Sequence, residues 1–188
     1  MQKQAHAITK RMPYCSLVIR VQRLTGPEAR QHLKALAAVL TDCVEGGASV
    51  SFTAPLSNSD AESFFAKAIE DVEQGNRILL AAFSNNELVG TVQVVTAMPP
   101  NQPHRAEIAK LLVRRDARGQ GIAGQLMGEA EEAARLTGKT LLTLDTASAD
   151  AEKVYTRMGW TRVGIIPNYA LLPDGTPCAT TIFWKSLL

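Results

Sequence analysis

No segment of the sequence approaches the roughly 18 uninterrupted apolar residues that a membrane-spanning helix needs, and no apolar run accompanies the basic N-terminal stretch from Lys3 to Arg11. A membrane anchor and a secretory leader are therefore not expected, and a cytoplasmic protein is. Charge of one sign is lacking too. Lys and Arg number 20 against 18 Asp and Glu, a formal net charge of +2 with no block of like charge, so nucleic acid is not an expected partner. Cysteine is scarce: Cys15, Cys43 and Cys178 are odd in number, far apart and without a C-x-x-C pair, a pattern of reduced buried thiols and not of a disulfide framework. His6, His32 and His104 have no metal-ligand spacing, so no metal is expected. There is no internal repeat and no low-complexity linker. What remains is 188 residues, 46% hydrophobic, enough for one domain with a sizeable core and cramped for two.

Within that frame the elements can be read from periodicity and punctuation. Leu17, Val18, Ile19 and Val21 suit a strand from Ser16 to Val21. Thr25 with Glu28 forms a capping box, Pro27 sits in a first turn, and Leu33, Leu36, Ala37, Leu40 and Val44 continue at helical spacing to Glu45-Gly46-Gly47. Ser59 with Glu62 reads as a second capping box, opening a helix with Phe65, Ala68, Ile69 and Val72 that Gly75 closes. Arg77 to Phe83 and Leu88 to Val95 read as a hairpin about Ser84-Asn85-Asn86-Glu87. A strand from Ala106 to Val113 follows three prolines. It leads through a Gly-rich loop into a helix with Ile122, Leu126, Ala130 and Ala133 on one face and a Glu131 to Arg135 pair on the other. Leu141 to Asp145 reads as a buried strand, and Ala151, Val154, Tyr155 and Met158 as a short helix stopped by Gly159. Two strands, near Thr161 to Ile165 and Thr180 to Trp184, end the chain. The alternation implies one α+β domain, a mixed sheet with helices on both faces.

The chemistry concentrates at Arg118-Gly119-Gln120-Gly121-Ile122-Ala123-Gly124. A loop that follows a strand and opens a helix offers main-chain N–H groups and the positive end of the helix dipole to an anion. Glycine permits close approach, and Arg118 adds a charge with fork geometry for phosphate. The loop is also G-x-G-x-x-G, with Asp145 at 145 − 124 = 21 residues beyond it, which superficially fits a dinucleotide-binding fingerprint. That reading fails on position. Arg114 to Arg118 separate the strand from the first glycine, over a hundred residues precede the loop, and only 188 − 124 = 64 follow, too few to complete a doubly wound sheet.

Leu111-Leu112-Val113 followed by Arg118 to Gly124 resembles the acetyl-CoA signature R-x-x-G-x-G/A of GNAT acetyltransferases, with Arg118, Gly121 and Ala123 at its fixed positions. Ala151, Val154, Tyr155, Gly159 and Trp160 resemble that family's later A-x-x-L-Y-x-x-x-G-F pattern. Gly46 to Phe52, Arg105-Ala106-Glu107, Leu144-Asp145-Thr146 and the Pro173-Asp174-Gly175 turn are similar to the tabtoxin-resistance branch. The resemblance implies a single-domain GNAT fold over residues 16–188 behind an N-terminal extension, 1–15, with a mostly antiparallel mixed sheet. It implies acetyl-CoA as cosubstrate, held by Leu111, Leu112, Val113 and the loop. Ser148 stands where the family usually has an Asn against the pantetheine arm. The acceptor implied is the amine of a small molecule, an amino-acid-like metabolite or antibiotic, and a homodimer stays open.

Direct transfer to an amine needs a base for the ammonium proton and a donor for the departing thiolate. Glu107 and Asp145 are the candidate bases, and two carboxylates would attract a cationic acceptor. Glu107 could instead pair with Lys110, and Asp145 could cap the following helix. The resemblance puts the Tyr155 hydroxyl beside the CoA sulfur, although a helix Tyr is more often core. Two other functions stay open: a non-catalytic CoA-binding protein, for which Ser148 speaks, and a protein or peptide N-acetyltransferase.

Overall fold

The computed structural model of the chain describes residues 18–188. His6, Cys15 and the domain boundary expected at residue 16 lie outside the described residues. One seven-stranded sheet organises the fold, from β1 (Ile19–Leu24), β2 (Arg77–Ser84) and β3 (Glu87–Val95) through β4 (Arg105–Val113) and β5 (Leu141–Thr146) to β6 (Thr161–Leu171) and β7 (Pro177–Ser186), in the order β1-β2-β3-β4-β5-β7-β6. Every neighbouring pair is antiparallel except β4 and β5.

Alternation along the strands divides the core in two. Ile78, Leu80, Ala82, Val92, Val94, Ala106, Ile108, Leu142 and Leu144 pack under α4 (Ile122–Leu136) and α5 (Ala149–Arg157). Leu79, Ala81, Phe83 and Leu112 pack on the opposite face under α1 (Gly26–Gln31), α2 (Leu33–Glu45) and α3 (Asn58–Glu73). Leu36, Leu40, Phe65 and Ile69 have no accessible surface, and burial of each such side chain contributes roughly 1.5–3 kcal/mol before conformational entropy is counted.

The expected capping box at Thr25 is present, with Glu28 reaching back to the Thr25 N–H at 2.8 Å. Four expectations change. The first helix does not run through to Val44, because His32, with φ −98° and ψ 8°, breaks it into α1 and α2. The box at Ser59 and Glu62 is replaced by a simple N-cap two residues earlier, where Ser57 Oγ accepts from the Asp60 N–H at 3.1 Å. The terminal strands extend well past the expected residues, β6 to Leu171 and β7 back to Pro177. Glu131 does not pair with Arg135, which meets Glu132 instead.

Glu131 is buried. Trp160 Nε1 donates to Oε1 at 2.8 Å and Lys185 Nζ to Oε2 at 2.6 Å, so the carboxylate ties α4 to β7 and to the turn after α5. Removing one partner of a buried pair strands the other charge. Glu131→Leu is expected to destabilise the fold by about 3 kcal/mol, read as a lowered midpoint in urea unfolding with an unchanged slope. A midpoint within experimental error of the wild type would mean that Lys185 reaches water and that the bond is incidental.

The hairpin joining β2 and β3 turns on Asn85 and Asn86, with φ 49° and 66°. Both central residues are thus left-handed, as a type I′ turn demands, and Asn tolerates that better than most. The hairpin places β3 beside β4, the strand that builds the site.

Candidate active site

β4 and β5 pair only over Arg105, Ala106 and Glu107 against Leu141, Leu142 and Thr143. Beyond that the strands diverge, so β4 from Ile108 to Val113 has lost its partner on one side. β4 is also irregular against β3. Thr91 meets Leu112 and Gln93 meets Ala109, which leaves Lys110 and Leu111 together opposite Val92. This is a β-bulge, and Lys110 takes the left-handed φ of 51° within it. The divergence opens a cleft of about 2070 Å³.

The Gly119–Gly124 loop forms one end of the cleft. Asp42 of α2 steadies the approach, accepting from the Arg115 N–H and from Arg115 Nε, each at 2.8 Å. Burial works against the Asp42 carboxylate, but those hydrogen bonds and the Arg115 charge outweigh it and hold its pKa below the ordinary value. Gly119 and Gly121 have φ of 79° and 77°, and a Cβ built on either meets no atom within 4 Å, so the space above them is open. The six main-chain N–H groups from Gly119 to Gly124 have no acceptor among the described residues. Converging unpaired N–H donors at the start of a helix suit a phosphate group.

Arg118 is less free than the sequence implied. Its Nε donates to the Val113 carbonyl at 3.1 Å and its Nη2 contacts Cys43 Sγ at 3.8 Å. The guanidinium is thereby held over the end of β4, with its remaining donors available. Leu111, Leu112, Val113, Gly119, Gly121, Ile122, Ala123 and Gly124 line the cleft; the Gln120 side chain does not. Ser148 lines it as well, but its hydroxyl caps α5, accepting from the Ala151 N–H at 3.3 Å. Asp145 therefore does not cap that helix.

Glu107, Asp145 and Tyr155 all reach the same cleft. Glu107 does not pair with Lys110: Arg105 Nη1 stands 3.9 Å from its carboxylate, and that nitrogen also donates to Thr143 Oγ1 at 2.8 Å. Asp145 accepts from Thr180 Oγ1 at 2.7 Å. The Tyr155 ring is buried against Trp160 and Phe183, with centroids 6.0 and 5.6 Å away, while its hydroxyl has no partner among the described residues. Burial, and then the charge of Asp145, push the phenol well above its ordinary pKa, so it stays protonated through the neutral range.

At the other end, the segment between α2 and α3 crosses to the β6–β7 hairpin. Ser49 Oγ donates to the Leu171 carbonyl at 3.2 Å, Cys178 Sγ contacts Ser49 Oγ at 3.5 Å, and the Ala54 N–H donates to the Pro173 carbonyl at 2.8 Å. Lys110 Nζ donates to Ser51 Oγ at 2.9 Å on the near side of this bridge. Burial pushes the Lys110 ammonium below its ordinary pKa, with Asp145 and Glu107 pulling the other way. Thr180, Ser51 and Lys110 were not singled out as site residues by sequence, because only strand register and the bulge bring them here.

A mixed sheet parted between its two parallel strands, with an amide-lined loop at one end of the gap, is the single-domain architecture of the GNAT acetyltransferases. A model of the acetyltransferase (GNAT) family matches residues 34–160, and the chain belongs to that family, whose members use acetyl-CoA. An acetyltransferase of Agrobacterium fabrum (strain C58) is 44% identical over 54 residues, which cover 29% of this chain and 39% of that protein. The chain thus matches about two fifths of that relative's length. The fold is similar to an N-acetyltransferase from Staphylococcus aureus Mu50, with TM-score 0.76 and 17% identity over 91% of this chain and 99% of that one. It is also similar to the ribosomal-protein-alanine N-acetyltransferase from Brucella melitensis, with TM-score 0.74 and 19% identity over 89% and 99%. A Salmonella typhimurium protein assigned as an acetyltransferase and solved with its cofactor acetyl-CoA gives TM-score 0.74 and 14% identity over 90% and 94%. Among the described residues no helix is long and apolar enough to cross a membrane, and no group of His, Cys, Asp or Glu is disposed to hold a metal.

Proposed function

We propose that this chain is a cytoplasmic acetyl-CoA-dependent N-acetyltransferase that moves the acetyl group directly to the amine of a small molecule, an amino-acid-like metabolite or antibiotic. One observation carries the reading: a single cleft combines the unpartnered main-chain N–H groups of its glycine loop, two carboxylates and a tyrosine hydroxyl without an acceptor. Acetyl-CoA supplies an activated thioester there. The N–H groups of Gly119 to Gly124, with Arg118, hold its phosphates, and the main chain of Leu111 to Val113 aligns the pantetheine arm past Ser148. Glu107 or Asp145 takes the proton from the acceptor ammonium, directly or through water. Tyr155 Oη donates to the departing sulfur, stabilising or protonating the thiolate.

The bridge from Ser49 and Ala54 to the β6–β7 hairpin favours a small acceptor over a protein or peptide, because it spans the end of the cleft that an extended chain would have to cross. The same end is built from Gly46 to Phe52 and the Pro173-Asp174-Gly175 turn, the segments that resemble the tabtoxin-resistance branch, and we place the chain beside that branch within the family. A non-catalytic CoA-binding role leaves the free Tyr155 hydroxyl and both carboxylates without a purpose.

Radiolabelled acetyl-CoA incubated with an amine panel tests the reading, with transfer of label to a small amine as the expected result. Absence of transfer to every small amine, with transfer to a peptide, would replace it. Glu107→Gln and Asp145→Asn should lower kcat, the true base by roughly 100-fold or more, with CoA affinity nearly intact. Wild-type turnover in both variants across the pH profile would mean that neither is the base.

A further inference from the structure

We infer that Lys110 is the carboxylate-recognition residue of the acceptor subsite, so that the preferred acceptor carries a carboxylate in addition to the amine that is acetylated. The inference rests on the acetyltransferase reading above and deepens it by naming what holds the other part of the acceptor.

Lys110 interrupts the alternation of β4. The bulge and the left-handed φ of 51° turn its side chain to the cleft, where it stands among the lining residues with Ser51, Phe52 and Glu107. Backbone conformations of this kind persist where a site requires them. The ammonium lies 5.7 Å from the centroid of the Phe64 ring, and its one hydrogen bond among the described residues goes to Ser51 Oγ. No carboxylate lies within 4.0 Å of it among the described residues. An ammonium has three donors, so two are unused.

The other cations nearby already have partners. Arg77 donates to Asp71 at 2.9 Å and to the Gln93 side chain, and Arg105 serves Gln102, Thr143 and Glu107. Lys110 is therefore the cation in this end of the cleft without an anion at ion-pair distance among the described residues, Asp145 and Glu107 acting on it only from further away. A part-buried ammonium with a neutral partner is electrostatically incomplete, and a carboxylate completes it. Ser51 accepts from Lys110 through its oxygen, which leaves its own O–H to donate. Lysine N–H and serine O–H together offer one donor to each oxygen of a carboxylate. A monoanion fits better than a phosphate dianion, because Glu107 and Asp145 face the same space and repel a second negative charge. The same two carboxylates favour the ammonium of a zwitterion.

The test uses matched acceptors with and without the carboxylate: L-lysine and cadaverine, β-alanine and ethylamine, L-alanine and L-alaninamide. Wild-type protein is expected to favour the acid of at least one pair by roughly 30-fold in kcat/KM, about what one charge-assisted hydrogen bond supplies. In Lys110→Met that preference should fall to about threefold or less, and Lys110→Arg should restore part of it. Calorimetric titration of the same amino acids into the CoA complex gives a reading independent of turnover, with binding expected for the wild type and lost in Lys110→Met. Equal kcat/KM within every pair would overturn the inference while leaving the acetyltransferase reading in place. If no small amine is acetylated, that reading fails, and the titration alone decides Lys110: binding of an amino acid that needs Lys110 supports its role, and binding to neither protein overturns it.

Discussion

Tyr155→Phe is expected to lower kcat by roughly 10- to 1,000-fold while leaving CoA affinity nearly unchanged, the range a positioned acid or charge-stabilising donor supplies. The substitution removes one oxygen and keeps the ring. That ring packs against Trp160 and Phe183, so packing and fold should survive. The hydroxyl has no acceptor among the described residues, and Tyr155 lines the cleft although its ring is buried, so its polar tip is left free to meet a ligand. Burial and the charge of Asp145 both disfavour the phenolate. The folded-state pKa is raised, so the proton is present at neutral pH and is not lost until above the ordinary phenol value of about 10. A thiol titrates ordinarily near 8.5, so the departing thiolate is a weaker base than this phenolate, and the hydroxyl keeps its proton while stabilising the sulfur as a donor. The alkaline limb of the kcat profile should therefore not belong to Tyr155. A folded Tyr155→Phe variant with kcat within about twofold of wild type would reduce the residue to packing.

Gly121→Val should weaken CoA binding by on the order of 100-fold or more, the equivalent of one or two charge-assisted hydrogen bonds. Two effects act together. Gly121 has φ of 77°, a conformation in which a β-branched residue is strained, so the loop is driven to re-form with its N–H groups displaced. A side chain would also fill the open space above the loop, where no protein atom lies within 4 Å of a Cβ. Since that space is empty of protein, the core should tolerate the change better than the ligand does. Gly128, an exposed glycine inside α4 with equally open surroundings, is the control. Gly128→Ala should leave CoA affinity alone and stabilise the helix by about 0.5–1 kcal/mol. Calorimetry with CoA checks both, and unchanged affinity in a folded Gly121→Val variant would remove the basis for placing the phosphates at this loop.

The parts of this molecule that were legible in the sequence are those fixed by local chemistry. Glycines at the loop, the Thr25 box, the Asn85-Asn86 turn and the stripe of Ile122, Leu126, Ala130 and Ala133 each answer to a few neighbouring residues, and each is where it was expected. The break at His32 was hidden because the apolar stripe continues straight through it. Ser57-Asn58-Ser59 offers two capping serines, and only the packed helix selects the first. Glu131 looked like a surface partner for Arg135 because its true partners, Trp160 and Lys185, come from 29 and 54 residues further along. β6 was cut short because nearly all of its residues are exposed, which erases the alternation that marks a strand. Glu107, Asp145 and Tyr155 were named from family resemblance and do share a cleft. Lys110 was taken only as a partner for Glu107, since a bulge cannot be read from composition.

The narrow seam between β4 and β5 has a consequence for how two substrates meet. Three residue pairs join the two halves of the sheet, and past Glu107 and Thr143 nothing in the backbone ladder fixes how far the strands stand apart. Across the opening the two sides are tied instead by the bonds from Ser49 and Ala54 to the β6–β7 hairpin, at one end only. Under the function proposed above, donor and acceptor meet in this gap, so a short run of missing hydrogen bonds between two parallel strands is what would let them reach each other.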